Sequence, residues 1–174
     1  DGVVIDRGDF AGPGGARTVL REPTARLAIL ETARGGLLRR GLGPGHADAV
    51  AITTIAEDHL GDFGSANLGE LAAIKWTLTR ALRPEGRLVL SADDALLVGL
   101  ATAPATRVPA PIIWCSLDPD SVVVSAHLAA GGEALTVLDG VLIYAHGSKR
   151  QSIVPLADVP LTVGGLARHN VANA

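Results

Sequence analysis

The nine residues ADAVAITTI, 47–55, decide how the chain folds. They are apolar and rich in β-branched side chains, and turn sequence precedes them, so they read as a buried strand of a parallel sheet rather than as a two-faced antiparallel one. Upstream, LAILE at 27–31 is a second run of the same kind. Downstream, the period changes to about 3.6 residues between Asn67 and Leu82, where Leu71, Ile74, Leu78 and Leu82 share one side. Asn67 is placed as an N-cap with Glu70 at the capping-box spacing, and the helix must stop before Pro84 and Gly86. RLVLSADD, 87–94, returns to strand character and closes a strand–helix–strand unit, the right-handed parallel crossover.

After about Pro104 the composition shifts. IIWCSLD, SVVVSAHL, ALTVL and VLIYAHG are short strand-like runs, and Asp139-Gly140 between the last two predicts a type I′ hairpin turn. The expected class is α/β: a parallel sheet flanked by helices over residues 1–103, with a smaller antiparallel layer on its edge over 104–174. The glycine-rich stretch GDFAGPGGAR, 8–17, reads equally as a plain turn.

Composition narrows the functions. Of 174 residues 48% are hydrophobic and 3% aromatic, and the formal charge is −3. That is a globular domain with neither the basic footprint nor the stacking platforms of a nucleic-acid binder. No apolar run is long enough to span a bilayer, and DGVVIDRGD at the start is not a secretory signal. Cys115 is alone, which suits a reducing cytoplasm and a buried structural thiol. The first residue is not Met, and the sequence reads as part of a longer polypeptide.

In an open parallel sheet, ligands sit beyond the carboxyl ends of the strands. Glu31 ends the first run and TTIAEDHLGDFG, 53–64, follows the second, so Glu31, Asp58 and His59 are the residues expected to converge there. An acid at that position can hold a cation, and Gly35 and Gly36 after it would let a ligand approach the backbone. Each residue also has a plain alternative: a solvated carboxylate, a turn cap, a hydrogen-bonded imidazole, and for Arg39 and Arg40 a wet surface pair. Lys75 lies in the apolar stripe of its helix, so its amine either snorkels outward or sits in the crevice with a lowered pKa, where it could take up carbon dioxide as a carbamate. No G-x-x-x-x-G-K-[ST] phosphate cradle and no G-x-S-x-G elbow occurs in the chain.

Five stretches in order, ETARGGLLRRGLG, TTIAEDHLGDFG, LAAIK, LSADD and RHNVAN, together resemble the central ATPase domain of the Mur ligase family, on the cyanophycin synthetase branch. The resemblance implies a P-loop NTPase-like fold and an ATP-dependent ligase that phosphorylates a carboxylate to an acyl phosphate and joins it to an amine. On the cyanophycin branch the pair is an aspartate polymer and arginine. It further implies ATP and Mg2+ as cofactors, with Glu31 and His59 as metal ligands and Lys75, often carbamylated, completing the catalytic set. His169, Asn170 and Asn173, the H-N-x-x-N segment, would contact the nucleotide, while Arg34 and Asp58 would face substrate.

Partners would be a small-molecule or peptide-like carboxylate, an amine and further domains of the same chain, with homo-oligomer formation left open. The family's phosphate loop, expected just upstream of DGVV, and its C-terminal domain lie outside the sequence, so this segment alone is expected to be inactive. Ser91 stands where the family has asparagine before A-D-D, and Thr54 where it has asparagine after Thr53. The alternatives are a Mur-type ligase for another acid, including a folylpolyglutamate synthetase-like one, and a nucleotide-binding module that has lost turnover.

Overall fold

A computed structural model of the chain describes residues 4, 7, 8, 10–56 and 67–173. It contains one six-stranded sheet in sequential order, built from β1 (Ala47–Ile52), β2 (Leu82–Ser91), β3 (Ile112–Ser116), β4 (Glu133–Leu138), β5 (Val141–His146) and β6 (Lys149–Pro155). The first four strands are mutually parallel and the last two antiparallel. The mixed α/β class read from the sequence therefore holds. The change of direction falls at the β4–β5 hairpin rather than at residue 104, because β3 and β4 continue the parallel sheet. Asp139 and Gly140 both have positive φ, 49° and 74°, as the type I′ turn requires.

Helix α3 (Leu68–Trp76) lies between β1 and β2, α4 (Ala95–Thr102) between β2 and β3, and α5 (Val122–Ala129) between β3 and β4. Parallel strands in sequential order joined by right-handed crossovers put all three helices on one face. The core agrees: Leu71, Ala72 and Trp76 of α3, Leu97 of α4 and Val124 of α5 form one cluster with Val50, Ile52, Leu88, Leu90 and Trp114 of the strands. On the other face of β1, Ala49 and Ala51 are exposed. The Trp76 indole N–H also donates to Thr106 O at 3.2 Å, pinning the turn after α4.

Asn67 caps α3 as the sequence predicts, accepting from Glu70 N at 2.9 Å while its amide donates to Glu70 Oε1 at 3.3 Å. The helix is shorter than expected: it tightens to a 3₁₀ turn over Thr77–Ala81, and β2 begins at Leu82. SVVVSAHL is not a strand but α5, capped by Ser121, which accepts from Val124 N at 3.4 Å. Two parallel neighbours need a crossover, and that demand overrides the β preference of three consecutive valines.

GDFAGPGGAR is more than a turn, since Pro13 opens α1 (Pro13–Leu20). The Arg-rich stretch forms α2 (Arg34–Arg40), with Gly41 at φ 72° after it. LAILE carries no strand. Its residues alternate between exposed and half-buried as a strand's would, with Leu27 80% and Ile29 88% exposed. Among the described residues, however, its backbone pairs with no neighbour, and β1 pairs on one edge only. A strand exists by its partner, and this run has none within the described residues.

Candidate active site

The carboxyl ends of β1 and β2 open onto two adjoining cavities. One, of about 410 Å³, is walled by residues 28–32, by β1 and by α3, and includes Glu31, Thr32, Thr53, Thr54 and Lys75. The second, of about 470 Å³, shares Thr53 and Thr54 with the first and adds Ser91, Asp93, Asp94, His169 and Asn173. The first runs along β1 from Ala47 and meets the second at Thr53 and Thr54, at the carboxyl end of the strand, where a parallel sheet places its ligands. Glu31 and Lys75 are thus brought to one cavity, and His169 and Asn173 to the one beside it.

Lys75 does not snorkel outward. Its Nζ donates to Thr54 O at 2.8 Å, bringing the amine to the end of β1. Two carboxylates of the S-A-D-D turn fasten the strand ends. Asp93 accepts from Leu117 N at 3.0 Å and from the Ser116 hydroxyl, joining the end of β2 to the end of β3. Asp94 accepts from Leu96 N at 3.0 Å and Leu97 N at 3.2 Å as the N-cap of α4, and from Ile55 N at 2.6 Å. Ser91, at the position of the family's asparagine, accepts from Asp93 N at 3.2 Å. The sequence motif L-S-A-D-D does not by itself assign its acids a role; the signal for Asp94 is an Asp directly before the apolar helix ALLVGL.

Helix α6 (Arg168–Asn173) carries the H-N-x-x-N residues. His169 and Asn173 are one turn apart, with Asn173 Nδ2 at 3.2 Å from His169 Nε2, and both line the second cavity. Asn170 instead donates to Leu161 O at 2.9 Å, which seats α6 on the preceding 3₁₀ turn. Val171 and Ala172 cover a third, apolar cavity of about 60 Å³ lined also by Cys115, Leu135 and Leu142. Burial, and then the nearby Asp93 charge, push the Cys115 thiol up to about 11, so it stays protonated at neutral pH and is no nucleophile.

Arg34 begins α2, half-buried, and lines neither of the two larger cavities. Arg39 donates to Gly35 O at 3.0 Å. Gly36 of ETARGG serves packing: a Cβ there would meet Ala11 O and Gly12 Cα at 3.2 Å, where α2 crosses the entry to α1. Asp58 and His59 lie outside the described residues.

The donor set suits a hard cation. One carboxylate-bearing and three hydroxyl-bearing residues, Glu31, Thr32, Thr53 and Thr54, line one cavity. Magnesium is commonly held by one or two carboxylates together with phosphate oxygens and water, without a closed protein cage. Among the described residues no group of three His, Cys, Asp or Glu side chains clusters.

The family model for the Mur ligase middle domain matches residues 17–174. The chain is 36% identical over 171 residues to a protein described as cyanophycin synthetase from Trichormus variabilis, covering 98% of this chain and 18% of that protein. It is 34% identical over 170 residues to cyanophycin synthetase from Synechocystis sp., covering 98% of this chain and 19% of that one. The chain therefore spans about a fifth of the length of these curated relatives. With a parallel sheet, a strand-end crevice and an unbroken match from Arg17 onward, this chain belongs to the Mur ligase family as a middle domain.

Proposed function

We propose that the domain binds ATP and magnesium for a carboxylate–amine ligase working through an acyl phosphate. An oxygen of the substrate carboxylate attacks the γ-phosphorus and ADP departs; the amine nitrogen then attacks the acyl carbon, inorganic phosphate leaves, and the nitrogen gives up a proton. Such chemistry depends on positioning and on offsetting phosphate charge more than on covalent help from side chains. The observation that carries the reading is the joined crevice, in which Glu31 and Lys75 occupy one cavity and His169 and Asn173 the next.

Glu31, with the hydroxyls of Thr32, Thr53 and Thr54, would hold the magnesium ion, which supplies charge neutralisation at the phosphate oxygens. His59 would add a second ligand and Asp58 would face a substrate group; Arg34, which lines neither cavity, has no role within the crevice. Lys75 works from its position at Thr54 O. Attack of its neutral amine on carbon dioxide, with loss of a proton, would exchange a cation for a carboxylate in a cavity that has to hold metal. His169 and Asn173 would contact the base, and Asn170 would steady α6 beneath them.

The test is ADP release by the full-length protein with ATP and magnesium. An aspartate polymer plus arginine is compared with a panel of other acids and amines. Release that requires both polymer and arginine supports the cyanophycin-type pair. Release with a different pair keeps the ligase and changes its substrate, and none with any pair points to a module without turnover.

A further inference from the structure

We propose that Asp94 is a positioning residue for Lys75, acting through a single peptide group. The carbonyl of Thr54 and the N–H of Ile55 belong to the same peptide plane. Lys75 Nζ donates to that carbonyl at 2.8 Å, and Asp94 Oδ2 accepts from that N–H at 2.6 Å. With Lys75 as the unmodified ammonium, a cation sits at the negative end of the peptide dipole and an anion at its positive end, and each charge-assisted bond polarises the peptide in the sense that strengthens the other; in the carbamate the remaining Nζ–H still donates to the same carbonyl.

The anionic end is fixed. Asp94 Oδ1 accepts from two amides at the start of α4, so its carboxylate cannot rotate without uncapping the helix. Leu97 in the first turn of α4 is fully buried, which ties the helix to the core. Ile55 is itself only 7% exposed. Rigid placement therefore passes from the core through α4, Asp94 and one peptide to the Lys75 amine. The clamped peptide lies on the wall shared by the two cavities, so it sets where the amine stands relative to both. Supports of this kind govern geometry at the reacting centre.

The inference rests on the reading of Lys75 given above, and the variants separate the two. In full-length protein, Asp94→Asn keeps an oxygen for the α4 cap but turns an amide N–H₂ toward the Ile55 N–H, so the clamp opens while the cap stays. Exchange of the Ile55 amide should then accelerate by roughly ten-fold or more, with the thermal midpoint moving by only about 2 °C. ADP formation should lose about ten-fold or more in kcat while KM for ATP stays within about two-fold. Asp94→Ser, which also retains a cap, should behave alike. A purely structural cap predicts wild-type kinetics in both variants, and that result overturns the proposal, as does unchanged Ile55 exchange in Asp94→Asn. Should wild-type protein release no ADP, the ligase reading fails on its own. Faster Ile55 exchange in both Asp94→Asn and Lys75→Met then supports the clamp, and wild-type exchange in either removes it.

Discussion

The two ends of the parallel sheet are built on different principles. At the amino end, charges meet charges. Glu133 at the start of β4 accepts from Arg87 Nε at 2.8 Å and from the Tyr144 hydroxyl, so one carboxylate joins β2, β4 and β5. Beside it His127 of α5 bonds Ile112 O at 3.0 Å, and Gly132 lies directly beneath the imidazole. At the carboxyl end, by contrast, acids bond backbone amides and leave open cavities between them. At the amino end side chains tie strands and a helix to one another, whereas at the carboxyl end the acids Asp93 and Asp94 tie backbone amides beside a cavity. That division assigns stability to one end and chemistry to the other, and substitutions at the two ends should separate the two properties.

The largest effect is expected at Glu31. In full-length protein, Glu31→Ala should lower ADP formation by roughly 100-fold or more, since the role proposed for Glu31 is to hold the magnesium ion that offsets phosphate charge. Its side chain is exposed and packs against little, so the thermal midpoint should stay at the wild-type value. Steady-state kinetics beside a melting curve checks both halves, and wild-type turnover would take Glu31 out of the metal site. Lys75→Ala comes next, with a loss of roughly ten-fold or more. If a carbamate is the working form, short carboxylic acids in the buffer should restore part of the rate; full activity of the mutant would remove Lys75 from the mechanism.

What the sequence reveals follows the range of the interactions. The Asn67–Glu70 cap spans three residues and the Asp139-Gly140 turn two, and both were legible because their bonding is local. LAILE has the composition of a strand, but strand formation needs a partner, and no local pattern reports whether one is present. The valines of α5 mislead for the converse reason, since the crossover between β3 and β4 is a property of the whole sheet. Family motifs pointed to Glu31, Lys75, His169 and Asn173, which line the crevice. They could not reveal that Asp94 reaches Ile55, because that bond crosses 39 residues of sequence. Nor could ETARGG disclose that Gly36 is needed for the crossing of α2 over the entry to α1.

At the amino end the expected signs reverse. A Cβ on Gly132 would stand 2.2 Å from His127 Nε2, and the ring cannot yield without giving up its bond to Ile112 O. Gly132→Ala should therefore cost about 1–3 kcal/mol through overpacking and the lost hydrogen bond. For a domain of this size that is a fall of about 2–4 °C in thermal midpoint per kcal/mol. Specific activity per folded molecule should not change. A drop in kcat at wild-type stability would contradict the separation of the two ends.

The smallest effect, and the one that sharpens the comparison most, is the pH dependence of the amino end. The Tyr144 hydroxyl, the chief cause, together with the Arg87 guanidinium, holds the Glu133 carboxyl below the usual carboxylate range, while partial burial opposes them. A carboxyl whose folded pKa is depressed contributes stability that is present above its unfolded value, about 4.3, and is lost as pH falls through the lower folded value. The contribution is therefore complete at neutral pH and disappears on acidification below about pH 4. Glu133→Gln keeps the shape but not the charge, so its midpoint should lie below wild type at pH 7 and the gap should narrow as the pH is lowered. Melting curves at stepped pH values measure that gap directly. A gap of constant size would mean that Glu133 acts through packing rather than charge, and the amino end would then be tied together by the fit of Tyr144 and Arg87 around a neutral group.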